Sequence, residues 1–322
     1  MTGRAIRRSV LSGTNSALIG HDWLEEMRLA TFHLGAEQRV GVVDPGDGSL
    51  RDLTDLLPAG TGVTELIEGW AVFGPELAAA MAAAPAVPAN RVRLCAPIPV
   101  PRRNILCVGK NYLDHAAEFN RSGFDASGNE DRPERPIFFT KAPSSVVGPY
   151  DPVELHPAVT SQVDYEVELA VLIGTGGRGI AAEDAYRHVW GYTILNDVTA
   201  RDLQRDHKQW FLGKSLDTHC PMGPWAVSAD EVDVESLEVF CRVNGELRQK
   251  AAVRDLIFDI PTLIATLSTG MTLQPGDVIA TGTPAGVGIG FNPPRFLAHG
   301  DLVEVSISGL GALRNEFREG VL

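Results

Sequence analysis

The 322-residue chain has no apolar run that reaches the ~18–20 residues a membrane-spanning helix needs. Arg4, Arg7 and Arg8 stand near the amino terminus, but no apolar stretch follows them, so no secretory signal is read and a cytoplasmic location is expected. Cysteine is scarce. Cys95, Cys107, Cys220 and Cys241 are far apart and form no C-x-x-C pair, which excludes a zinc ribbon and a disulfide framework. They read as reduced thiols, with Cys107 and Cys241 in apolar, core-like runs. Positive charge is in deficit: 28 Lys and Arg against 41 Asp and Glu leave a net charge of −13. That balance argues against general affinity for nucleic acid or an anionic membrane, and a small anionic ligand would need cations placed locally. A G-x-S-x-G serine elbow is absent. The Gly-rich run 281–290 lacks the closing Gly-Lys-Ser/Thr of a P-loop, and Pro284 breaks the strand-to-helix setting of a dinucleotide fingerprint. It reads as a tight loop that brings backbone N–H groups near a pocket. His33, His156, His207 and His219 have no metal-ligand spacing and read as structural or exposed.

What is present alternates short strands with turns. Residues 1–26 show no periodicity and read as an extension. Residues 27–32 start a strand, and 75–84 form an Ala-rich helix with Pro75 in its first turn. Prolines crowd 85–103. The expected division is a small N-terminal α/β domain over 27–90, a Pro-rich linker over 91–103 and a larger domain over 104–322. In the larger part, 105–109 and 138–140 read as strands, 182–189 as helical, and Asn244-Gly245 as a two-residue hairpin turn. Ile260, Leu263, Ile264 and Leu267 keep helical spacing, with Pro261 at the start and Gly270 as stop. Residues 278–281 and 302–307 read as strands. The polar stretch 111–135, with Gly123 and Gly128, reads as a mobile lid. Helices do not alternate regularly with strands, so the fold class is α+β.

The richest stretch is 164–173, Asp-Tyr-Glu-Val-Glu-Leu-Ala-Val-Leu-Ile, which reads as one buried strand ending at Gly174. Side chains alternate along a strand, so Glu166 and Glu168 share a face while Val167, Leu169, Val171 and Ile173 line the other. Two carboxylates side by side on such a strand repel and are costly to desolvate, so a cation is expected between them. Asp197, closing the apolar run 191–197, adds a third oxygen donor. Three oxygens from two strands suit Mg²⁺ or Mn²⁺ with water completing the shell. The competing reading makes Glu166 and Glu168 ordinary solvent-facing acids, and spacing does not choose between the two.

Four further groups carry candidate chemistry. His115 and Glu118, three apart, share a face if they lie on a helix, and a carboxylate beside an imidazole makes a general base; a surface pair is the plain alternative. Arg201 can hold a carboxylate bidentately and Gln204 can bond a carbonyl, or both are ordinary helix residues. Lys214 stands in an unusually apolar setting, and Lys141 is a weaker case of the same kind; either can neutralise substrate charge or snorkel to water.

In order, Val108-Gly109-Lys110-Asn111-Tyr112 with His115 and Glu118, Phe138-Phe139-Thr140-Lys141, Asp164-Tyr165-Glu166-Val167-Glu168-Leu169, the run from Asn196 to Gln204, Gly213-Lys214-Ser215 and Thr281-Gly282-Thr283-Pro284 resemble the fumarylacetoacetate hydrolase family, bacterial type, over about residues 104–317. The resemblance implies a mixed β-sandwich roll and a homodimer. It implies Glu166, Glu168 and Asp197 as ligands of Mg²⁺ or Mn²⁺, and His115, Glu118 and Lys214 as catalytic groups. Arg201, Gln204, Lys141 and Thr283 would contact substrate, with specificity in 119–135, Trp210, Phe211 and the loop 291–295. The implied substrate is a small anionic keto acid of the kind met in aromatic catabolism. The implied reaction is hydrolysis of a C–C bond in a 2,4-dioxo acid through a metal-stabilised enolate. Decarboxylation of an oxaloacetate-type acid and isomerisation of a hydroxymuconate-type acid are alternatives, as is a non-catalytic binding subunit. The fourth metal-binding acid of the animal enzymes has no evident counterpart in this sequence.

Overall fold

The computed structural model describes residues 27–44, 48–70, 77, 81, 84–124 and 132–320. The expected extension 1–26, most of the Ala-rich helix 75–84 and the middle of the expected lid lie outside them.

Two sheets face each other across one core. The larger has twelve strands, and its central ones run in the order Arg28–Leu34, Cys220–Ser228, Val189–Asn196, Val167–Ile173, Val278–Ala280, Ile105–Gly109, Ile137–Lys141. Neighbours in that row are antiparallel except Val278–Ala280 and Ile105–Gly109, which run parallel with Ile279 opposite Leu106. The smaller sheet has five strands, ordered Glu246–Ala252, Glu238–Val243, Leu302–Ile307, Gly311–Arg318, Val153–Glu154. This is the mixed α+β sandwich expected.

The strand Val167–Ile173 shows why the layers stack. Val167, Leu169, Val171 and Ile173 pack with Val239, Cys241, Val303, Val305 and Ile307 from the smaller sheet. Ala170 and Leu172, on the other face, pack with Leu29, Val42 and Leu66. Both faces are covered, which is why the strand reads as a nearly continuous apolar run. Glu166 and Glu168 are themselves buried, and the solvent-facing alternative for them is overturned.

Residues before 104 continue the large sheet. Leu29 pairs with Ala226, and Val92–Leu94 pairs with Arg28–Leu34. Within 91–103, Cys95, Ala96 and Ile98 are buried.

Local signals act as their chemistry requires. Asn244 (φ 51°) and Gly245 (φ 83°) take the left-handed conformation a two-residue hairpin needs. Asp259 caps the helix Ile260–Ser268, accepting from the Thr262 N–H at 2.9 Å. Residues expected to be helical at 182–189 form the 3₁₀ helix Ala182–His188. The expected strand 164–173 is interrupted: Val163–Asp164 pairs with Thr199–Ala200, and Val167–Ile173 pairs elsewhere. At the break, side-chain amides replace the ladder. The Glu166 N–H donates to Asn196 Oδ1 (3.0 Å) and the Val167 N–H to Gln249 Oε1 (3.1 Å).

Candidate functional site

The break in that strand lies at the heart of the site. Glu166, Glu168 and Asp197 are buried, and each offers a carboxylate oxygen within 4.8 Å of the other two. Asp197 is held beside Glu166 by its own N–H, which donates to the Glu166 carbonyl at 2.8 Å. Three buried cations surround the acids. Lys214 Nζ lies 2.8 Å from Glu166 Oε2 and 2.6 Å from Asp197 Oδ2. Lys141 Nζ lies 2.7 Å from Asp197 Oδ1. Arg201 Nη1 reaches Glu166 Oε1 at 2.7 Å, and its Nε donates to Asp164 Oδ2 at 2.9 Å.

Four buried acids thus face three fixed cations. Glu168 is the one left over: among the described residues it has no ion pair, and its bond is from the Gly282 N–H at 2.8 Å. Burial, then the charges of Asp197 and Glu166, pushes its carboxyl well above the usual range. Glu166 goes the other way: burial opposes ionisation, but Lys214 and Arg201 outweigh it and hold the carboxyl low. Three hard oxygen donors, a dry setting and one unmatched negative charge fit a divalent cation, with Glu166, Glu168 and Asp197 as its holders.

Beside the acids is a cavity of about 20 Å³ lined by Lys110, His115, Phe119, Phe139, Glu166, Glu168, Arg201, Gln204, Trp210, Lys214 and Thr283 among others. That is the room of about one water. Its roof is the helix Leu113–Ser122. His115 Nδ1 stands 3.4 Å from Glu118 Oε2. Glu118 also accepts from the Gly286 N–H, both oxygens at 3.1 Å. Phe119 packs with Val287, Ile289 and Trp210. The Gly-rich loop therefore spends its N–H groups on acids: Gly282 on buried Glu168, Gly286 on half-buried Glu118, and Gly288 and Ile289 on buried Asp164.

Residues 104–318 match the family model for the fumarylacetoacetate (FAA) hydrolase C-terminal domain. The chain belongs to the fumarylacetoacetate hydrolase family. Members similar to it include the oxaloacetate tautomerase YisK of Bacillus subtilis, 57% identical over 228 residues that make up 70% of this chain and 73% of that protein. The mitochondrial oxaloacetate tautomerase FAHD2A of Homo sapiens is 42% identical over 90% of this chain and 91% of its own. Among solved structures, the maleylpyruvate hydrolase of Sphingobium sp. SYK-6 in complex with manganese(II) and pyruvate has a TM-score of 0.73, with 36% identity over 91% of this chain and all of that one. These relatives are enzymes named for keto acids.

Of the positions that the family resemblance singles out, Glu166, Glu168, Asp197, His115, Lys214, Arg201, Gln204 and Thr283 converge here. Lys141 is present but does not line the cavity; its ammonium faces Asp197 and, at 3.0 Å, the Val198 carbonyl. Trp210 lines the cavity, whereas Phe211 and the loop 291–295 do not. Phe291 instead lies between the guanidinium groups of Arg248 and Arg295. Phe119, from the stretch 119–135 expected to set specificity, lines the cavity; sequence reasoning passed over Lys110 and Phe139 as lining groups and Asp164 as a partner of Arg201. Asp164 carries a signal in retrospect, as a third acid in the same apolar segment as Glu166 and Glu168.

Proposed function

We propose that this protein interconverts the keto and enol forms of a small 2-oxo dicarboxylic acid, with oxaloacetate as the leading substrate and a divalent metal, Mg²⁺ or Mn²⁺, as cofactor. The reading is carried by one observation: an imidazole tethered to a carboxylate faces a buried cluster of acids and cations. It is supported by the tautomerase relatives.

Glu166, Glu168 and Asp197 would hold the divalent ion, which would supply Lewis acidity to the site. The remaining chemistry belongs to the chain. Arg201 Nη2 is buried without a hydrogen-bond partner among the described residues, and Arg201 lines the cavity. It suits a substrate carboxylate, with Gln204, whose Oε1 accepts from Arg201 Nη1 at 3.2 Å, fixing the guanidinium plane. His115, oriented by Glu118, takes the proton from C3 as the C2=C3 bond forms. The Lys214 ammonium offsets the negative charge that moves onto the C2 oxygen and donates the proton that completes the enol, while His115 holds the proton taken from C3. The packed roof of Phe119 and Trp210 excludes water that would scramble the proton.

A second reading has its own support. The same imidazole can activate a water toward a 4-oxo carbon, cleaving a C–C bond in a 2,4-dioxo acid, and the manganese-bearing neighbour is a maleylpyruvate hydrolase. Products separate the readings. Oxaloacetate with Mn²⁺ should show accelerated loss of enol absorbance with no CO₂ release. An acylpyruvate split into two acids would favour hydrolysis, and CO₂ release would favour decarboxylation. His115→Ala should retain Mn²⁺ binding and lose turnover; full activity in that variant would remove the proton-transfer role. The homodimer that the family resemblance implies belongs to this proposal and is tested by sedimentation.

A further inference from the structure

The loop 286–290 touches both halves of the site. On one side it seats the lid helix: the Gly286 N–H donates to Glu118, and Val287 and Ile289 pack with Phe119. A Cβ at Gly290 would stand 1.8 Å from Glu118 Oε1, so the glycine is what lets the carboxylate lie there. On the other side the loop is fastened to Asp164. Asp164 Oδ1 accepts from the Tyr165 N–H at 2.9 Å and the Gly288 N–H at 2.7 Å. Its Oδ2 accepts from the Ile289 N–H at 3.1 Å and from Arg201 Nε at 2.9 Å. Tyr165 adds a fifth tie, its hydroxyl donating to the Gly286 carbonyl at 2.9 Å.

We propose that Asp164 is a positioning residue that couples the docked lid helix to Arg201. The inference rests on the reading of Arg201 as the carboxylate binder and His115–Glu118 as the base. One fully buried carboxylate uses its acceptor sites on four donors, two from the lid's seat and one from the arginine. A shift of 288–289 therefore changes what holds Arg201, and a shift of Arg201 changes what holds the seat. Asp164 itself does not line the cavity, so its effect reaches the substrate only through those neighbours.

Asp164→Asn tests this. An amide keeps acceptors on one side only, so its NH₂ must face either Ile289 and Arg201 or Tyr165 and Gly288. At saturating Mn²⁺, KM for oxaloacetate should rise by about tenfold or more, and the peptide 113–122 should exchange amide hydrogens faster. Lid exchange at the wild-type rate, or an unmoved KM beside a faster lid, overturns the coupling. Should Asp164→Asn fail to fold, Gly290→Ala probes the same link from the other end. It pushes on Glu118 and leaves Asp164 intact, so faster exchange at 113–122 should come with a raised KM. A displaced lid with wild-type KM, or a lid that is not displaced, overturns the proposal. If the wild-type protein does not turn over oxaloacetate, the functional reading fails on its own. The exchange arms still decide the coupling: Asp164→Asn must loosen 113–122, and Gly290→Ala must loosen 286–290.

Discussion

Glu168 is held where a carboxylate is least at ease: 1% exposed, between two other acids, with one backbone N–H for company. Its replacement should separate stability from function. Glu168→Gln keeps an acceptor for Gly282 and removes the unmatched charge, so without metal its melting temperature should equal or exceed that of the wild type, while Mn²⁺ affinity falls by about a hundredfold. Melting curves in chelator and calorimetric titration check both halves. His219 is a second buried titratable group, and its role is structural. Its Nε2 donates to the Glu154 carbonyl at 2.9 Å, and its Nδ1 has no partner among the described residues. Burial, then the charge of Lys141, pulls the imidazole down to about 3. The unfolded chain therefore binds a proton below the ordinary histidine range that the folded chain refuses, so His219 costs stability as pH falls from about 6.5 and is silent above it. Between pH 7 and pH 5 the loss amounts to about 2 kcal/mol, and His219→Gln should remove it in urea titrations at the two pH values. At this scale the sequence was informative about residue type and poor about partners. Two glutamates in an apolar run announced a cation, but nothing in the spacing told that Asp164 bonds Arg201, since that contact depends on where the strand breaks.

Elements are placed by close approaches that a linear text conceals. Gly109 ends the strand Ile105–Gly109, and the Trp210 indole fills the space a side chain would take, 2.4 Å from the point a Cβ would occupy. Trp210 then meets Phe139 at 5.2 Å and Phe119 at 5.9 Å between ring centroids, joining strand, the helix Leu113–Ser122 and the short helix Phe211–Lys214 that carries Lys214. Gly109→Ala should cost about 1–3 kcal/mol by overpacking and raise KM by displacing the indole, as read from urea denaturation and steady-state kinetics. The hairpin at Asn244-Gly245 and the capped helix Ile260–Ser268 were legible because their signals are local. The interruption of 164–173 was not, because the amides that replace its ladder, from Asn196 and Gln249, come from distant strands.

For the molecule as a whole, charge sets the approach of any substrate. On the proposed function, the net charge of −13 repels an anionic keto acid at long range, while the buried Lys214 and Arg201 would attract it only within the site. Salt screens the first effect more than the second, so KM for oxaloacetate should fall as ionic strength rises from about 0.01 M to 0.15 M. A rise over that range would show that exposed cations guide entry. No helix among the described residues is long and apolar enough to cross a membrane. The sandwich was foreseeable from alternating strands and family motifs. The continuation of the large sheet through Arg28–Leu34 was not, because a pairing of only two residues, Arg28 with Val227 and Leu29 with Ala226, leaves no trace in composition.

With the helix that bears His115 seated on residues 286–290, the space beneath it, bordered by His115 and Phe119, is small, about 20 Å³. On the proposed function, the group that moves the proton would then sit in the cover of its own site. A firm seat would favour proton transfer and slow the exchange of reactant for product, so the grip of one loop on one helix would set the tempo for both.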